Sequence, residues 1–250
     1  MKFLTLVTTG TYGHGKRFDD TVSLGKHIIK ELVNHLLELS QNVHGKKVLI
    51  YLMNPRDPHY IHPDVINILK QGDNNETSKK DPEIRHSELK ALIAEPLLNF
   101  IKSNIQTLYT KNAFCHFTIV ILKHVGGNRE EAFQSIADLV VEPYVVQNKD
   151  KHPVEHPGSH FMFKQLVIQD KEESNDGVKF SEVLIQTVPK LVFKSWMECN
   201  RGAFLLISML ETELPSVVER IKEELTGCKT YLSKKEYVGA KILLKKLKNL

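Results

Sequence analysis

The sequence predicts an all-α fold, a curved solenoid of stacked helical units, and two observations carry that expectation. The first is repetition. Four segments open on glycine, at Gly45, Gly158, Gly202 and Gly239, and place matching residues third, fourth and eighth after it. These are Val48, Leu49 and Met53; Phe161, Met162 and Leu166; Leu205, Leu206 and Leu210; and Ile242, Leu243 and Leu247. That spacing puts each set on one face of a helix. A weaker copy follows Phe114, with Phe117, Thr118 and Leu122 in the same places, so the copies in the second half of the chain lie 44, 44 and 37 residues apart. Periods of this size belong to stacked helical units, each unable to bury its apolar face alone. The second observation is that the apolar–polar alternation of a half-buried strand is nearly absent after residue 20.

Taken in order, helical patterning covers about residues 25–41, 45–53, 63–71, 83–110, 113–124, 129–141, 158–170, 179–188, 202–212, 215–227 and 235–249. Pro63, Pro82 and Pro215 stand at first-turn positions, where the missing N–H costs nothing, and Asp81 is placed to cap the helix that Pro82 opens. Ile66 and Leu69, then Leu89, Leu92, Ile93, Leu97, Phe100 and Ile101, continue an apolar stripe and are read as core. Trp196 is read as a packing anchor. Polar stretches with proline or glycine interrupt the pattern at 54–59, 71–82 and 147–153, the second read as a mobile insertion carrying Lys79 and Lys80. A fourth, at 171–177, connects two helices.

With 250 residues and 41% apolar content the chain can bury a substantial core. Cys115, Cys199 and Cys228 are far apart and form no Cys-x-x-Cys pair, which argues against a disulfide framework or a thiolate zinc site and fits a reducing compartment. The start, Met1 to Val7, has one positive charge and too short an apolar run for a signal peptide, and no later run has membrane-spanning length. The expectation is a soluble intracellular protein without a membrane partner. Net charge is +4, and its distribution is uneven: from Lys229 to Leu250 seven lysines stand against Glu236 alone. Such a tail suits either solvated surface or a polyanion.

Two motifs invite a catalytic reading. Gly10 to Lys16, after a strand-like Met1 to Thr9 and before a helix-like segment, resembles a phosphate-cradling loop, but Arg17 occupies the place of the Ser or Thr that would hold magnesium. His152, Glu155 and His156 have the spacing of a His-x-x-Glu-His zinc site, which needs both histidines on one continuous helix. Pro153 and Pro157 break that helix, so both histidines are expected in a loop entering the helix at Gly158. Neither motif supports a metal, a cofactor or an enzyme.

Several stretches resemble Pumilio-type helical-repeat proteins, and specifically their divergent Puf-A and nucleolar Puf branch. They are Leu52 to Pro58, Leu69 to Asp73 with Ser78 to Asp81, Glu155 to His160 with Ile168 to Lys171, and most specifically Lys194 to Ala203. The resemblance covers about residue 19 to the end. It implies an irregular or truncated start at 1–18, one Pumilio-type repeat at 19–56, and divergent C-terminal repeats of a CPL-like region at 57–250. The fold it implies is a Pumilio/armadillo-like solenoid. The function it implies is a nuclear and nucleolar factor in rRNA processing and large ribosomal subunit assembly, binding pre-ribosomal RNA or DNA with little sequence preference among pre-ribosomal proteins.

Pumilio repeats read one base each through side chains on the middle helix of every unit. In sequence-reading members these fall one, two and five places after the small turn residue. Here those places hold Lys46, Lys47 and Ile50; Ser159, His160 and Phe163; Ala203, Phe204 and Ile207; and Ala240, Lys241 and Leu244. None of these trios makes the paired edge contacts that base reading needs. The expectation is therefore phosphate attraction by Lys46, Lys47, Lys164, Lys194, Arg201, Lys234, Lys235, Lys241, Lys245, Lys246 and Lys248. Two rivals stand beside it: a helical scaffold for protein interaction, and a nucleotide-binding enzyme using Gly10 to Lys16.

Overall fold

The computed structural model describes residues 21–71, 73, 81–148, 151–172 and 177–249. The Gly10–Lys16 loop, the strand-like start, and Lys79 and Lys80 lie outside the described residues. Every regular element among the described residues is helical, as the patterning predicts. The chain divides into two units, residues 1–100 with 124–127 and residues 101–123 with 128–250.

In the first unit, α1 (Thr21–Asn34) and α2 (Leu36–Gln41) replace the single helix expected over 25–41. The break falls at His35, whose backbone leaves the helical region at φ −116° and ψ 17°. Helix α3 (Val43–Met53) starts from Asn42, whose side-chain oxygen accepts the N–H groups of His44 and Gly45 at 2.8 and 2.9 Å. That caps two donors no helical carbonyl can reach. Gly45 sits where α2 and α3 press together: a Cβ there would lie 3.0 Å from the Leu39 Cα and carbonyl oxygen. Helix α4 (Pro63–Lys70) opens on proline, and its Ile66 and Leu69 join Tyr51 and Ile61 in a small core. Helix α5 (Pro82–Leu108) starts as predicted, with the Asp81 carboxylate accepting Glu83 and Ile84 N–H at 2.8 and 3.2 Å. Its Leu89, Ile93, Leu97, Phe100 and Ile101 are buried, and its last turns belong to the second unit.

The second unit continues with α6 (Asn112–His124), α7 (Glu130–Ala137), α8 (Pro157–Glu172) and α9 (Phe180–Thr187). A short α10 (Val192–Ser195) and a 3₁₀ turn at Trp196–Glu198 lead to α11 (Asn200–Leu210), followed by α12 (Pro215–Glu224), α13 (Lys229–Leu232) and α14 (Val238–Asn249). Helix α11 packs against both α8 and α14, so three of the glycine-led helices adjoin one another. Helix α9 covers α7, α8 and α12. Between these layers the aromatic side chains of Phe114, Phe117, Phe163, Phe180, Phe193 and Trp196 are fully buried. Phe180 lies 5.4 Å from the Phe133 ring and 6.0 Å from that of Phe163. The start of α9 is capped from another helix: the buried Asp170 carboxylate accepts Phe180 N–H, Ser181 N–H and Ser181 Oγ–H at 2.8, 2.7 and 2.5 Å.

The glycines hold the stack in register. A Cβ on Gly158 would lie 2.3 Å from Asn112 Oδ1, and one on Gly239 would lie 2.7 Å from the Asn200 carbonyl oxygen. Each asparagine opens the preceding helix of the repeat series, α6 or α11, so the same close approach recurs within the second unit.

One sequence expectation is corrected. Phe161 and Ile242, at the third place after the glycine, are 47% and 41% exposed, whereas Leu205 in the same place on α11 is fully buried. The apolar spacing marks one face of each helix, and the third place of that face is buried on α11 but not on α8 or α14.

Candidate nucleic-acid interface

The base-reading positions are mostly closed. Ser159, Phe163, Ala203, Ile207, Ala240 and Ile50 are buried, and the Ser159 hydroxyl is spent on the Pro153 carbonyl at 2.7 Å. The second places face outward most: Lys47 and Lys241 are exposed and His160 and Phe204 half-buried, as are Lys46 at a first place and Leu244 at a fifth. Burial pushes the His160 imidazole down to about 4, helped by Arg201 and Lys164, so it is neutral near pH 7.

The predicted cations fall into two classes. Lys46, Lys47, Lys194, Lys234, Lys241, Lys245 and Lys248 have no carboxylate partner among the described residues. Lys241, Lys245 and Lys248 follow one another at i, i+4 and i+7 on α14 and are all exposed, so they share one face. Lys234 is exposed in the turn before α14. Lys46 and Lys47 belong to the first unit and α3. Lys194 lies half-buried on α10.

The remaining four are engaged. Arg201 Nη1 donates to both the Glu155 carbonyl and Glu155 Oε1 at 3.1 Å, tying the turn before α8 to the start of α11. Lys235 donates to Glu198 at 2.8 Å, lies over the Tyr231 ring at 4.6 Å, and is held well above the ordinary lysine range by Glu198 and then by Tyr231. Tyr231 also donates to Glu198. Lys246 pairs with Glu211 at 3.0 Å. Lys164 stands 5.8 Å from the centre of the Phe204 ring, a cation–π distance. The partners Glu155 and Glu198 are 46 and 37 residues away in sequence, a separation at which no spacing rule operates.

Lys164, Phe204 and Lys246 line one open groove of about 760 Å³ between α8, α11 and α14. Its floor is apolar, from Val167, Ile168, Ile207 and Leu210, and its rim carries Lys171 paired with Glu213 at 2.5 Å. Sequence reasoning missed Lys171 and both glutamates, because they become neighbours only through the stacking. His152 and His156 sit in the turn before α8, and no group of three metal-ligating side chains is gathered among the described residues.

Stacked glycine-led helices, closed base-reading positions and a row of unpaired lysines define a helical-repeat protein of divergent Pumilio type. The chain belongs to the CPL (NUC119) domain family, whose model matches residues 41–179. Pumilio homolog 3 of Danio rerio is 36% identical over 234 residues, covering 92% of this chain and 37% of the relative. Pumilio homolog 3 of Homo sapiens is 32% identical over 257 residues, covering 98% of this chain and 40% of the relative. The chain thus spans less than half the length of these relatives. The crystal structure of human Puf-A superposes with a TM-score of 0.83 at 33% identity, over 92% of this chain and 45% of that one. Human Puf-A in complex with DNA gives 0.81 at 31% identity, over 98% and 48%.

Proposed function

We propose that this chain is a non-catalytic, nucleic-acid-binding helical-repeat protein that holds RNA through its phosphates with little preference for sequence. The observation that carries the reading is the α14 face, where Lys241, Lys245 and Lys248 stand exposed in line with no carboxylate partner among the described residues. Burial of Ser159, Ala203 and Ala240 at first places and of Ile50, Phe163 and Ile207 at fifth places supports the loss of base discrimination, because edge contacts need side chains that can reach the base. Human Puf-A has been crystallised with DNA, which supports a polyanion as the ligand class. By kinship with Pumilio homolog 3 we further assign the chain to the nucleus and nucleolus, to pre-ribosomal RNA and pre-ribosomal proteins, and to rRNA processing in large-subunit assembly. Lys46, Lys47, Lys194 and Lys234 join the α14 lysines as phosphate contacts; Lys164, Arg201, Lys235 and Lys246 contribute through charges already shared with a ring or a carboxylate.

Fluorescence anisotropy on three unrelated RNAs tests the reading, with wild type compared against Lys241→Glu, Lys245→Glu and Lys248→Glu combined. Removing phosphate contacts should weaken all three RNAs by a similar factor, of the order of tenfold or more. Unchanged affinity, or loss for one RNA only, contradicts it. A second reading, a protein-interaction scaffold, is favoured by the apolar floor of the α8–α11–α14 groove. Phe204→Glu, which places charge in that groove, would abolish protein capture while sparing RNA if the groove serves proteins.

A further inference from the structure

The connection between α9 and α10 turns sharply at Pro189–Val192, closed by the Val192 N–H donating to the Pro189 carbonyl at 3.3 Å. Leu191 occupies the third position of that turn with φ 77° and ψ −21°. Its predecessor Lys190 has no positive φ, so the turn is of type II, which favours glycine where this chain has leucine. The conformation is fixed from both sides. The Leu191 N–H donates to Glu224 Oε2 at 2.9 Å, and its carbonyl accepts the Lys194 N–H at 3.1 Å. Glu224 is itself buried and paired with Arg220 at 3.4 Å. The result is a leucine in a left-handed conformation that is nevertheless 64% exposed.

Glycine would serve the fold better there, so the leucine needs a reason outside the fold. Strained residues held by surrounding structure concentrate where a protein meets something else. The neighbourhood says what. Lys190 is exposed immediately before the tip and Lys194 follows within one turn, and neither has a carboxylate partner among the described residues. An apolar side chain flanked by cations is the arrangement with which proteins wedge stacked bases apart while gripping the adjoining phosphates. An apolar socket on another protein would match Leu191 alone and leave both lysines unused.

We propose that Leu191 is a wedge that inserts at an unstacked base step of a structured nucleic acid, with Lys190 and Lys194 on the flanking phosphates. This rests on the nucleic-acid reading above and adds a contact outside every base-reading position.

The test uses the full chain and an RNA hairpin carrying 2-aminopurine beside a bulge, whose fluorescence rises when the base unstacks. Wild type should raise the fluorescence on binding. Leu191→Gly should keep or raise the melting temperature, which excludes misfolding, retain the salt dependence, lose the fluorescence rise and bind about tenfold more weakly. Leu191→Met should preserve the rise. An equal rise with Leu191→Gly overturns the wedge and turns attention to a protein contact at the tip. Wild-type binding with no rise overturns the wedge and leaves the broader reading standing, and no wild-type binding overturns both.

Discussion

The side-chain oxygen of Asn200 accepts the backbone N–H of Gly239 at 2.9 Å, joining the first turn of α11 to that of α14. The contact is close enough to forbid a side chain on the glycine, since a Cβ there would also lie 3.0 Å from Ala203 Cβ. One polar bond and one steric limit thus set the register between the last two helices of the stack.

Gly239→Ala is expected to destabilise the chain by about 1–3 kcal/mol, because the backbone oxygen of Asn200 has little freedom to retreat and overpacking outweighs alanine's better helix propensity. Asn200→Ala, which leaves the Gly239 N–H without its acceptor, should cost a similar amount. Denaturant unfolding of both variants checks this. A Gly239→Ala protein as stable as wild type would show that the stack yields at this point.

Arg201→Ala should lower stability by about 1–3 kcal/mol, because Glu155 loses the partner of both its carbonyl and its carboxylate. Its other carboxylate oxygen, Oε2, already lacks a hydrogen-bond partner, so the loss has nowhere to be made good. Arg201→Lys should recover only part of the loss, since a single ammonium reproduces the two-acceptor grip less well than a guanidinium. Thermal melts of the three proteins side by side provide the measurement. Equal stability of Arg201→Ala and wild type would return Arg201 to the pool of free surface cations.

Acid should destabilise the fold before its carboxylates titrate. His86 is pushed down to about 4 by burial and then by Arg56 and Arg85, and His160 to about 4 by burial and then by Arg201 and Lys164. In the unfolded chain both return to about 6.5. Between about pH 6.5 and 4 the unfolded state therefore binds more protons, so stability is full above that window and falls steadily as pH drops through it. Melting temperatures recorded from pH 7.5 to 4.5 should show this decline, and His86→Gln or His160→Gln should flatten it. A melting temperature constant from pH 7 to 5 contradicts the assignment.

Much of the fold was legible in the sequence because helices announce themselves locally. Period and proline placement located most helices, and Asp81 caps α5 where its position before Pro82 said it would. The break at His35 and the short α10 carry no such signature, since histidine is no helix breaker and a helix of four residues is too short for a period. The lysine excess of the last 22 residues was legible in the sequence, and the helix shows that Lys241, Lys245 and Lys248 share one exposed face of α14. The engagement of Arg201 and Lys235 was not, because Glu155 and Glu198 reach them only when helices far apart in sequence stack. Phe161 and Ile242 fit the apolar pattern and still lie largely open, because periodicity marks a face without saying what covers it.

The central claim is that phosphates, not base edges, hold the ligand, and the salt dependence of RNA affinity tests it most directly. Anisotropy titrations of unrelated single-stranded RNAs from about 50 to 200 mM salt should give straight plots of log affinity against log salt, falling by about 0.7 per phosphate contact with the same slope for every sequence. An affinity indifferent to salt, or a strong preference for one sequence that persists at high salt, would contradict it.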